Sequence, residues 1–186
     1  MRIKKLLLLL CFSAILTLVV ACAGVPVSKE GTHAPKITSW FAVERGYYGS
    51  IWKIYLEAED PDGDMYRIAS VVDQTGAGRY PTDWINVKPQ YQKVFKGYIQ
   101  WNTFGSRAGY LREWTNLTLK VSIVDKVGNW SNEVIFPFTF ESGVPDPYAY
   151  KPPAPFDQGE VAKLGNVFVD LIDPSLTQGF GDLDRH

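Results

Sequence analysis

Residues 50–59, SIWKIYLEAE, alternate without interruption. Trp52, Ile54, Leu56 and Ala58 fall on one side and Lys53, Tyr55, Glu57 and Glu59 on the other. A period of two describes a strand with one buried face and excludes an amphipathic helix, whose apolar stripe returns every three to four residues. LTLKVSIVD repeats the pattern, with Leu117, Leu119, Val121 and Ile123 inward. NEVIFPFTF does so with Val134, Phe136, Phe138 and Phe140. Pro137 lies on the opposite face and has no N–H to give, which predicts an edge strand or a bulge. KITSWFAV, MYRIASVVD, KVFKGYIQW and the stretch around Tyr91 read as further strands. About seven short strands between Pro35 and Glu141, with turn signals roughly every ten residues, predict an all-β, antiparallel two-sheet sandwich.

The ends of the chain read differently. MRIKK is a basic head, LLLLLCFSAILTLVV is an apolar core of 15 residues, and small residues then lead to a cysteine. A membrane span needs roughly 20 apolar residues, so this is a secretory signal in form. Val19-Val20-Ala21-Cys22 resembles the bacterial lipobox, with valine where leucine is usual. The resemblance implies cleavage after residue 21 and diacylation of the Cys22 thiol. It also implies a bacterial cell-envelope protein held to a membrane through its N-terminal lipid. An uncleaved signal anchor and ordinary cleavage nearby are the alternatives. Ala23 stands where lipoproteins kept at an inner membrane commonly carry aspartate, which implies an outer membrane if the source has one. Cys11 and Cys22 are the only cysteines, so the exported domain has no disulfide and depends on its core.

Residues 22–34 read as a flexible tether, spanning about 20 Å root-mean-square. Beyond the sandwich, residues 142–186 carry seven acids against three bases, and Pro145, Pro147, Pro152, Pro153 and Pro155 fall close together. This predicts an acidic, Pro-rich, disordered tail. Its apolar cluster (Val167, Phe168, Val169, Leu171, Ile172) is either a sticky segment of that tail or a strand that docks on a partner. Cleaved after residue 21, the chain carries 16 basic and 20 acidic residues without basic clustering, so a nucleic-acid surface is not expected.

Two segments carry a second resemblance. IYLEAEDPDGD, followed about 60 residues later by LTLKVSIVDKVGNWSNEVIFPFTF, is similar to bacterial immunoglobulin-like domains of the fibronectin-III or PKD kind. The likeness implies an immunoglobulin-like sandwich and leaves function open, because that fold hosts unrelated tasks.

The chemistry is sparse. An EF-hand counted from Asp60 would need glycine at its sixth position and glutamate at its twelfth, which here are Met65 and Val71. A different calcium site remains conceivable, with Asp60, Asp62 and Asp64 meeting Asp125 where two loops share one end. The other reading is a turn whose carboxylates accept local amides. The mature chain has two histidines, His33 in the tether and His186 at the last position, so no nucleophile–base pair can be assembled and no catalytic residue or enzyme activity is expected. Glu57 and Glu59 share a solvated strand face. Tyr80, Trp84 and Tyr91, with Asp83 and Asn86 close by, form a candidate carbohydrate-stacking set. Packing inward is the alternative use for the remaining tryptophans, Trp40, Trp52, Trp101, Trp114 and Trp130. The expectation is a lipid-anchored, non-enzymatic envelope protein whose domain serves as a protein-interaction or spacer module without a cofactor. A carbohydrate-binding module on cell-wall or surface polysaccharide is the alternative.

Overall fold

The structure is a computed structural model that describes residues 31–105 and 115–174. The expected signal peptide, the Cys22 acylation site, most of the tether, Trp114 and His186 lie outside the described residues.

The alternating segments form the strands they predict. One sheet contains β1 (Lys36–Phe41), β3 (Ile51–Glu59), β7 (Val94–Asn102) and β10 (Ala162–Val167), in the order β1-β3-β7-β10. The other contains β2 (Arg45–Gly46), β9 (Val134–Phe140), β8 (Asn116–Asp125) and β4 (Met65–Gln74). The outer edge of β4 is shared by β5 (Gly78–Arg79) and β6 (Asp83–Asn86). β1-β3-β7 faces β9-β8-β4 in a two-sheet β-sandwich. The first strand is divided between the sheets: β1 pairs with β3, and after a crossover at residues 42–44, β2 pairs in parallel with β9.

The inward residues of β3 (Trp52, Ile54, Leu56, Ala58) are fully buried and face those of β8 and β9. Trp52 lies 5.3 Å from Phe138 and 5.6 Å from Phe140, and its indole N–H donates to the Val43 carbonyl. Each such side chain contributes about 1.5–3 kcal/mol of transfer free energy. β9 is an edge strand over most of its length, as Pro137 requires. Thr139 N–H points outward to the Glu44 carbonyl, so the imide nitrogen two residues earlier also faces the open edge and costs the ladder no bond.

Three expectations need correction. The stretch around Tyr91 is a 3₁₀ turn (Pro89–Tyr91), begun by a proline, and the strand in that region is β6 instead. The sheets are mixed rather than antiparallel, because β2 runs parallel to β9 and β10 runs parallel to β7.

The third concerns the disordered tail from residue 142 onward, which the described residues to 174 contradict. The Pro-rich run crosses the outer face of the first sheet, where Tyr55 and Tyr98 would otherwise expose aromatic surface. Phe156 covers Tyr55 at 5.4 Å, and Lys96 donates to the carbonyls of Pro155 and Gln158. Lys53 lies over the Tyr148 ring at 4.0 Å. The chain then becomes β10, and Leu164, Val167, Val169 and Leu171 complete the core. The apolar cluster therefore docks on its own domain. Gly97 makes the close approach possible, since a Cβ there would lie 2.6 Å from Leu164 Cγ.

Candidate functional site

The two ends of the sandwich are chemically distinct. At one end, β7 finishes beside the chain that leaves β10. Gln100 and Asn102 project from the outer face of β7, Asn166 projects from β10, and Phe104, Phe168 and Asp170 follow. Together they line an open cavity of about 390 Å³. Phe168 and Phe104 are the most exposed large apolar side chains among the described residues, at 79% and 70%. Both are held. Phe168 N–H donates to the Asp83 carboxylate at 3.1 Å, and Phe104 N–H donates to Asn102 Oδ1 at 3.0 Å. Tyr48 stacks on the Phe104 ring at 6.1 Å, and its hydroxyl bonds to both backbone groups of Gly105. Two exposed rings flanking three amide side chains can hold a ligand with an apolar face and hydrogen-bonding edges. Among the described residues, Asp170 is the only carboxylate lining this cavity.

The opposite end carries the acidic turn. Asp60 is buried, and its two oxygens accept the N–H groups of Asp62 (3.0 Å) and Asp64 (3.2 Å). Asp125, also buried, accepts the N–H groups of Val127 and Asn129 and the Asn129 side-chain amide. Lys126 N–H reaches the Asp64 carbonyl and joins the two turns. Both buried carboxylates thus accept local amides, as the turn reading predicts. Asp64 is pushed up to about 6 by burial, by its hydrogen bond with Asp60, and by the charges of Asp60, Asp125 and Asp62. Its Oδ1 is buried without a partner. The weak calcium candidates are thus brought to one end. Among the described residues, no group of three or more His, Cys, Asp or Glu is placed to hold a metal ion. The described start of the chain lies here as well. His33 N–H donates to Asp62 at 2.7 Å, and the His33 ring lies 3.2 Å from the same carboxylate. These bonds hold Asp62 below the usual carboxylate range.

The candidate carbohydrate set separates. Tyr80 packs against the core, donates to Gln74 and accepts the Ile172 N–H at 2.9 Å, so it fastens the C-terminal segment to β4. Tyr91 also packs against the core. Only Trp84 presents its ring to solvent. Its neighbour there is Trp130, at 5.8 Å, with Tyr66 and Arg67 alongside. Of the tryptophans considered for the core, Trp52 and Trp101 are buried, while Trp40 and Trp130 are about half exposed.

Neither a family model nor a curated protein matches this chain.

Sequence reasoning missed the Phe104–Phe168 cavity. One signal was available. In VFVDL, strict alternation turns Val167, Val169 and Leu171 inward and leaves Phe168 outside. Nothing in the sequence brings β7 beside residues 166–170.

Proposed function

We propose that this is a non-enzymatic, lipid-anchored bacterial envelope protein whose immunoglobulin-like domain presents its Phe104–Phe168 end to a partner protein. The carrying observation is the exposure of two aromatic rings at the end opposite the described start of the chain. On this reading, a lipid on Cys22 would leave that end the farther from the membrane along the sandwich. Exposed aromatic side chains around a shallow pocket are the usual anchors of a protein interface. The test is recovery of membrane partners by the full lipidated chain and by a Phe104→Ala/Phe168→Ala double variant. Specific loss of a partner supports the reading, and identical partner sets refute it.

A second reading is carbohydrate binding at the same cavity. Its support is the trio of Gln100, Asn102 and Asn166 amides between the two rings, a donor and acceptor set suited to sugar hydroxyls. Titration of envelope polysaccharides against the parent and an Asn102→Ala/Asn166→Ala variant separates the two. Saccharide binding that the double variant abolishes favours this reading over a protein partner.

A further inference from the structure

We propose that the face formed by Tyr66, Trp84, Val127 and Trp130 docks on the lipid headgroup layer to which the chain is anchored. The inference rests on the lipid-anchored reading above and adds an orientation to it: the domain lies with one specific face on the membrane instead of swinging freely on its tether.

A continuous series of contacts places this face beside the described start of the chain. His33 is bonded to Asp62, and the Asp62–Asp64 turn is bonded through the Asp64 carbonyl to Lys126. The turn containing Lys126 has Val127 at its tip and leads to Trp130, which bridges to Val124 of β8. Trp130 lies against Trp84 of β6, with Tyr66 and Arg67 at the adjacent start of β4. Only nine positions separate Cys22 from Gly31. On the flexible-tether reading such a stretch would span about 16 Å root-mean-square, so a lipid on Cys22 would keep this end near the bilayer.

The chemistry of the face suits an interface between water and hydrocarbon. Trp84, Trp130, Tyr66 and Val127 are 43%, 51%, 40% and 40% exposed, and no described part of the chain covers them. Indole and phenol rings combine an apolar body with a polar tip and collect at the headgroup level of membranes. Arg67 is stretched over the Tyr66 ring at 4.5 Å and bonded to Asn86, which holds its guanidinium at the rim where phosphate groups would lie. Lys126 is exposed on the same turn. Asp62 stands at the same end as a negative charge, so the rings rather than net charge drive the contact.

The test uses the lipidated full chain in vesicles of phosphatidylethanolamine with a minority of phosphatidylglycerol, their acyl chains brominated to quench tryptophan. The parent is expected to float with the vesicles and to lose fluorescence. A Trp84→Ala/Trp130→Ala variant should float equally and show little of that loss. Val127→Glu, a milder surface change checked by circular dichroism, should reduce the quenching while leaving both indoles in place. In the chain without lipid, the double variant should weaken vesicle partitioning by about tenfold or more. A parent that floats but is quenched no more than the double variant overturns the docking and leaves the anchor standing; the face then belongs to a partner of other chemistry. A parent that does not float, and matches Cys22→Ala, overturns the anchor and the docking together.

Discussion

Replacing Leu171 by alanine tests whether the C-terminal segment belongs to the core. Leu171 is 1% exposed, and the chain around it is fastened to the sandwich at several points. Trp101 Nε1 donates to the Val169 carbonyl at 3.3 Å, Gln74 Nε2 to the Ile172 carbonyl at 2.9 Å, and the Tyr80 hydroxyl accepts the Ile172 N–H. Truncating a buried leucine costs about 2–5 kcal/mol, combining lost transfer free energy with the cavity left behind. Leu171 follows the last strand rather than sitting inside a ladder, so its backbone can relax and the lower part of that range applies, about 2–3 kcal/mol. For a chain of this length the melting temperature then falls by about 2–4 °C for each kcal/mol. The assay is urea unfolding followed by tryptophan fluorescence, with Phe168→Ala as the control. Phe168 lies three residues away on the same segment but is exposed, and its truncation should stay within about 0.5 kcal/mol. A Leu171→Ala change no larger than the control would mean that the segment is not packed and that the described β10 seat is wrong.

Other outcomes follow from single contacts. Gly97→Val drives a side chain into Leu164 and the Ala162 carbonyl and should destabilise the fold by about 1–3 kcal/mol, partly relieved by Leu164→Ala in the double variant. Asp60→Ala leaves the Asp62 and Asp64 amides without their acceptor at a buried position and should cost about 1–3 kcal/mol by urea unfolding. The folded state binds the Asp64 proton more tightly than the unfolded chain does, since the carboxyl moves from 3.8 to about 6 on folding. Stability should therefore decline as pH rises from about 4 to 6, and Asp64→Asn should flatten that part of the pH profile. Asp73 shifts the other way, to about 2, because Arg79 and Lys120 hydrogen-bond to it. Its contribution is present above pH 4 and is lost as pH falls through 2, a decline that Asp73→Asn should remove.

The sequence determined the strands, because alternation is a local property of the backbone. A β-strand places every second side chain on the same side, and the residues of β3, β8 and β9 carry that signature whatever they later pack against. Pro137 likewise declared its edge position, since a missing N–H is a local fact. The amide-accepting roles of Asp60 and Asp125 were legible for the same reason, their partners lying within four residues.

Tertiary structure decided the rest. Tyr55 falls on the polar side of its strand, yet it is buried because Phe156, a hundred residues later, lies across it. The Pro-rich run looked incompatible with a sheet. It does not join one; it covers one, and it delivers β10 to the vacant edge of β7. Trp84 reads as one of three stacking residues, but the folded chain packs Tyr80 and Tyr91 against the core and brings Trp130 to Trp84 instead. The far cavity exists only because β10 runs beside β7, a close approach that Gly97 of β7 permits. Local periodicity shows which side of a strand is apolar. What covers that side depends on contacts across the whole chain, which no short stretch of sequence encodes.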